Sequence, residues 1–276
     1  MHLKGVDNIN ALKRLIVAAV LLPVVYLYVM YLPSRYFLFL LIFVSLLAMS
    51  EFYSMYHVAG MLRYSCLFFG TCIVGISYIS KDLLLDVTIL SILAIMGIRL
   101  MIKRDPLSAL YDISSPILGL LYIPVFLAFQ TQIRRLGPEW IIFLYASVWA
   151  SDTMAYYLGK CIGKRKLYKE VSPNKTVAGT VGSFIGGVIG VLLLRATLVP
   201  LLSVSSAVLI GIIIGTISVV GDLVESMFKR DAGIKDSGVI IPGHGGILDK
   251  IDGVLFVGPV LYWMLKVMGI TGSSIH

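Results

Sequence analysis

The chain has 276 residues, 58% of them hydrophobic and 14% charged, with a mean hydropathy of +0.94. A water-soluble domain carries about a quarter of its residues as charges, so this composition excludes one and implies an all-α, polytopic integral membrane protein. The net charge of +8 does not call for a nucleic acid, because Lys and Arg are confined to short loops between apolar runs, where an anionic membrane surface and anionic substrates account for them.

Apolar runs near the ~20 residues that cross a bilayer lie at about 15–32, 36–57, 64–80, 83–100, 112–131, 139–159, 177–199, 203–224 and 252–270. This predicts about nine transmembrane helices. The first run follows Lys4, Lys13 and Arg14 but precedes no small-residue cleavage site, so it reads as a retained anchor. No polar linker divides the chain. A single integral-membrane domain over 1–276 is expected, with N-terminal spans over 1–135 and functional helices and loops over 136–276. With the N-terminus in the cytoplasm, all but six of the 23 Lys and Arg fall on the inner side, the six being Arg35, Lys81, Arg134, Arg135, Arg195 and Lys266. Cys66, Cys72 and Cys161 are odd in number and suggest reduced thiols rather than a disulfide framework.

The same topology places Glu51, Asp112, Asp152, Asp222, Glu225, Asp249 and Asp252 near the cytoplasmic leaflet, implying a polar cavity that opens there. Gly182, Gly186 and Gly190 recur every four residues, as do Gly211 and Gly215, a spacing that lets helix backbones approach closely in lipid. Neither GxxxxGK[ST] nor GxGxxG occurs, so any nucleotide is held in another way.

Ionisable residues are densest over 226–252, SMFKRDAGIKDSGVIIPGHGGILDKID. Just before it, Asp222 and Glu225 share a helix face with Ser226 beside them, and Lys229 stands four residues beyond Glu225, where an ion-paired helix end is an equal reading. Gly233, Gly238, Pro242, Gly243, Gly245 and Gly246 preclude a regular helix, and glycine-dense backbone can turn several N–H groups toward an anion. His244 is either a phosphate donor or a cap of the turn. Asp249 and Asp252, three apart on the first turn of the last helix, are capping acids or, with Asp222, a hard-cation site suited to Mg²⁺. The basic run Lys160–Lys169 reads first as positive-inside bias. Ser172, Asn174, Lys175 and Thr176 stand just before a helix, a place suited to a phosphate. Upstream, Asp152 lies between hydroxyls in the apolar stretch Trp149–Thr153.

At these residues the chain resembles the phosphatidate cytidylyltransferases, also called CDP-diacylglycerol synthases. Their signature is met by Ser226, Phe228, Lys229, Arg230, Lys235, Asp236, Gly238, Ile241, Pro242, His244, Gly245, Gly246, Ile247, Asp249, Ile251 and Asp252. The family's WASDT…Y, SPxKT and GDLxES segments are met by Trp149–Thr153 with Tyr156, Ser172–Thr176 and Gly221–Ser226. Lys250 departs from the family's arginine, Ala178 from a glutamate and Met154 from a glycine.

The resemblance implies the reaction CTP + phosphatidic acid → CDP-diacylglycerol + pyrophosphate in phospholipid biosynthesis. It implies Mg²⁺ on Asp222, Asp249 and Asp252, with a second cation, monovalent or divalent, beside it. Lys229, Arg230, Lys235, Lys250 and Lys175 would neutralise phosphates. Ser172, Asn174, Thr176 and His244 would donate hydrogen bonds, with Asp152, Ser226, Gly245 and Gly246 lining the substrate site. A homodimer in a bacterial inner membrane, its active site facing the cytoplasm, is the implied setting. A CTP-dependent lipid kinase would use similar parts, and a cation-coupled transporter would also explain embedded acids.

Overall fold

A computed structural model describes residues 23–238 and 245–270. After a helical stretch over 23–31 come α1 (Ser34–Met55), α2 (Gly60–Ile79) and α3 (Leu84–Ile102). Next is one rod built from α4 (Ala109–Leu120), a single π-helical turn (Leu121–Val125) and α5 (Phe126–Leu136). Pro124 inside that turn has no N–H to give to the preceding turn, which accounts for the wider winding. Then follow α6 (Pro138–Ile162), strands β1 (Lys166–Tyr168) and β2 (Ser172–Thr176), α7 (Val177–Thr197), α8 (Val204–Asp231) and α9 (Leu248–Val267).

The protein is mostly helical and polytopic. Among the described residues, six helical segments are long and apolar enough to cross a membrane: Ser34–Met55, Gly60–Ile79, Leu84–Ile102, Ala109–Leu136, Val177–Thr197 and Val204–Asp231. Helices α6 and α9 fall where spans are expected but outside that set. They carry Glu139, Asp152 and Lys160, and Asp249, Lys250, Asp252 and Lys266, and are correspondingly more polar. The expected span over 15–32 lies mostly outside the described residues. The all-α expectation needs one correction: β1 and β2 form an antiparallel hairpin in what reads as a basic loop, with Lys166 opposite Thr176 and Tyr168 opposite Ser172.

Helix α7 packs between α6 and α8, and small residues set the approach. A Cβ on Gly186 would lie 2.6 Å from the Ala150 carbonyl and from Met154 Cβ, and one on Gly215 would lie 2.7 Å from the Ser183 carbonyl. Close backbones let short hydroxyls bridge. The Ser151 and Ser183 hydroxyls are 2.5 Å apart, Ser151 and Ser218 3.2 Å, and Ser183 donates to the Gly215 carbonyl at 2.8 Å. Such interhelical hydrogen bonds help hold three helices together.

The N-terminal helices join this group through an aromatic cluster. Phe52 on α1 meets Phe228 on α8 at 5.7 Å between ring centroids, and Tyr122 of the π turn meets Phe228 at 5.6 Å and Phe256 on α9 at 5.8 Å. Aromatic contacts of this kind, the two to Phe228 being edge-to-face, favour particular angles between the helices that carry them. They bring the end of α1, and Glu51 with it, against the ends of α8 and α9.

Candidate active site

The site begins where α8 crosses α9. A Cβ on Gly221 would lie 2.7 Å from the Asp252 carbonyl and 3.2 Å from Gly253 Cα, so only glycine permits this approach. The crossing brings Asp222, Glu225 and Asp252 together, with one carboxylate oxygen from each lying within 4.8 Å of the others. The Ser226 hydroxyl donates to Asp222 Oδ1 at 3.3 Å, and Lys175 Nζ stands 2.7 Å from Asp222 Oδ2. Both oxygens of Glu225, a fully buried residue, lack a geometrically sound hydrogen bond, although Lys229 Nζ abuts Oε2. Buried carboxylate oxygens left this way are costly. A hard divalent cation takes one or two carboxylates plus water and phosphate oxygens, and this donor set fits one.

Asp249, expected beside Asp222 and Asp252 as a metal ligand, is engaged elsewhere. Its Oδ1 accepts from Lys229 Nζ at 2.6 Å, and its Oδ2 accepts from the Gly246 N–H at 2.8 Å and the Ser237 N–H at 3.1 Å, with the Ser237 hydroxyl, shared with Glu51, also 3.1 Å away. Glu225 takes the place in the cluster that the sequence reading gives to Asp249. The signal was present, since Glu225 lies one helical turn from Asp222, but it reads locally as the partner of Lys229. Lys229 serves both, lying between Glu225 and Asp249.

The remaining candidates spread over this surface. Asp152 sits on α6, next to buried Ser151. Arg230 is exposed and donates to the carbonyls of Ile234 at 2.8 Å and Val171 at 3.3 Å, tying the loop after α8 to the hairpin. Lys235, Lys250 and Asn174 are exposed, and Ser172 is half-buried on β2. Thr176 is buried, and its hydroxyl caps α7 by accepting the Gly179 N–H at 3.1 Å. Gly245 adopts φ +86°, a left-handed conformation open to glycine, and Gly246 packs against Ser237 and Glu51. His244, Pro242 and Gly243 lie outside the described residues. Asp112 does not join the other acids. It pairs with Arg99 and Lys103, each at 2.9 Å, where α3 meets α4.

The sequence profile of the cytidylyltransferase family matches residues 12–268 of this chain. The chain belongs to the cytidylyltransferase family. Among relatives, a protein of Thermotoga maritima named phosphatidate cytidylyltransferase is 36% identical over 187 residues, 65% of this chain and 69% of its own length. Proteins of the same name from Bacillus subtilis and Synechocystis are 42% identical over 156 residues and 44% over 131. These matches cover 54% and 46% of this chain, and 56% and 43% of the relatives' lengths. As a cytidylyltransferase the chain is a membrane-embedded nucleotidyltransferase, and its acidic cluster lies within the matched residues.

Proposed function

We propose that the chain is a phosphatidate cytidylyltransferase, converting CTP and phosphatidic acid to CDP-diacylglycerol and pyrophosphate. The observation that carries this reading is the meeting of three carboxylates and two lysines at the α8–α9 crossing. A reaction between two phosphate groups needs both signs of charge. Carboxylates alone would repel the substrates, and lysines alone would hold them without discriminating a transition state.

In the reaction, an oxygen of the lipid phosphate attacks the α-phosphorus of CTP, and the bond to the β-phosphate oxygen breaks to release pyrophosphate. The attacking phosphate is already anionic near neutral pH, so the demand on the protein is alignment and charge neutralisation rather than a strong base. Lys175, steered by Asp222, and Lys229, fixed between Glu225 and Asp249, present ammonium groups that offset charge on the phosphates. Arg230, Lys235 and Lys250 stand exposed around them and attract the triphosphate from solvent. A divalent cation such as Mg²⁺ on Asp222, Glu225 and Asp252, with a second, monovalent or divalent, cation beside it, would supply further neutralisation when bound.

The finer topology belongs to the same proposal. Nine spans, an N-terminus in the cytoplasm and a site facing the cytoplasm of a bacterial inner membrane are supported by the distribution of Lys and Arg. CTP would then arrive from the cytosol while acyl chains stay in lipid, and two copies would associate as a homodimer.

Labelled CTP tests the reaction. Purified protein with phosphatidate micelles and Mg²⁺ should move the α-phosphorus label into lipid and release pyrophosphate. Transfer of the γ-label would instead mark a lipid kinase, and no CTP turnover would favour a transporter.

A further inference from the structure

Glu51 lies on α1, in the half of the chain where the sequence carries no chemistry, yet it is 5% exposed and surrounded by groups from the far end of the chain. Its Oε1 accepts the Ile247 N–H at 2.9 Å, and its Oε2 accepts the Leu248 N–H at 2.9 Å and the Ser237 hydroxyl at 3.1 Å. Helix α9 has no side-chain cap of its own. The first turn of a helix leaves N–H groups unsatisfied, and a carboxylate there is favoured by the helix dipole. Here that carboxylate comes from 197 residues earlier in the chain.

The fit around Glu51 is tight. A Cβ on Gly238 would lie 2.7 Å from Glu51 Oε1, and one on Gly246 would lie 2.7 Å from Glu51 Cδ. Ser237 and Gly238, on the connection after α8, and Gly246 to Leu248, at the start of α9, therefore rest on one side chain. Asp249 holds the same two stretches through the N–H groups of Ser237 and Gly246.

We propose that Glu51 is a positioning residue, a cap delivered from α1 that fixes the first turn of α9 and so places Asp249 against Lys229 and Asp252 against Asp222. The inference rests on the cytidylyltransferase reading above. Reacting groups displaced by ~1 Å lose roughly 10²-fold in rate, so a cap that sets the first turn acts on turnover without touching substrate.

The test uses the full-length protein in detergent, with hydrogen exchange read on peptides covering 245–255 and 204–231, and kcat and KM measured for CTP. Glu51→Gln keeps size but replaces one acceptor oxygen with a donor that faces an N–H. Exchange should rise in 245–255 and stay unchanged in 204–231, while kcat falls roughly 10–100-fold with KM for CTP little altered. Ser237→Ala, which removes one hydroxyl from the same clamp, should move both readouts the same way by less. The double variant should lose less than the sum of the two, as groups acting through one contact do. Unchanged exchange over 245–255 with normal kcat in Glu51→Gln would overturn the proposal, as would a rise spread equally over all helices. If Glu51→Gln does not fold, Ser237→Ala decides by the same criteria. The exchange readout needs no substrate, so a wild-type protein that fails to label lipid would refute the reaction and leave the clamp still tested.

Discussion

Two sets of carboxylates lie side by side where α8, α9 and α1 meet, and their surroundings are opposite. Glu51 and Asp249 are saturated with donors: backbone N–H groups of Ser237, Gly246, Ile247 and Leu248, the Ser237 hydroxyl and the Lys229 ammonium. Asp222, Glu225 and Asp252 crowd one another, with Lys175, Lys229 and one serine hydroxyl as their described partners. A buried carboxylate that already has its donors builds structure. One left short of donors beside two others is ready to take a cation. Sequence spacing alone does not separate the sets, since Asp249 and Asp252 occupy the same helical turn.

The largest effects should come from the undersupplied set. Asp252→Asn and Glu225→Gln keep side-chain size and remove one negative charge each. Cytidylyl transfer should fall roughly 10²–10³-fold, the scale seen when an electrostatic group is removed from a reacting centre. The Mg²⁺ concentration for half activity should rise by at least about 10-fold. Amide exchange in 245–255 should stay as in the wild type. Full activity in either variant at low Mg²⁺ would remove that residue from the cation site.

Asp249→Asn should cost less and in a different way. It breaks the Lys229 pair and weakens the bonds from Ser237 and Gly246, so kcat should drop about 10–100-fold while the Mg²⁺ requirement stays near that of the wild type. Exchange over 245–255 should rise. A large shift in Mg²⁺ requirement with a protected first turn would return Asp249 to the ligand role that its spacing suggests.

The pattern of these expectations follows from what a sequence carries. Hydropathy reveals most of the helices because lipid demands long apolar runs, and the four-residue glycine spacing foretells the close packing of α6, α7 and α8. Asp222 and Asp252 are legible as charges embedded in apolar sequence. Glu225 is harder, because its i+4 lysine offers a sufficient local partner, and only the tertiary crossing at Gly221 brings Asp252 alongside it. Glu51 reads as one more acid at the right depth, with no role, because its partners lie 186 to 197 residues away. Asp112 errs in the opposite direction. Its depth groups it with the site, but the nearby Arg99 and Lys103 claim it. The hairpin escapes detection because Pro173 and the polar composition of 166–176 hide any strand pattern.

Away from both carboxylate sets, Ser183 offers a control in which polar bonding serves packing alone. Ser183→Ala deletes the bond to the Gly215 carbonyl and leaves the Ser151 hydroxyl short of one partner. The cost should be about 1 kcal/mol, read as a lower unfolding temperature in detergent, with kcat and the Mg²⁺ requirement unchanged. A selective loss of Mg²⁺ affinity would mean that the serine cluster reaches the site through its neighbour Asp152.

The smallest effect is expected at Lys250, which is exposed on the first turn of α9, next to clamped Asp249 but with its own side chain in none of the described ion pairs or hydrogen bonds. The family pattern that this stretch resembles has arginine there. Lys250→Arg keeps the charge and adds a planar fork able to grip a phosphate with two parallel bonds. Since the first turn is held by Glu51 and Asp249 through other atoms, the exchange should alter neither fold nor cation affinity. Activity should stay the same or rise, most visibly as a lower KM for CTP. Loss of activity in this variant would show that the ammonium at 250 makes a contact a guanidinium cannot fit, and would move Lys250 from the rim of the site to its interior.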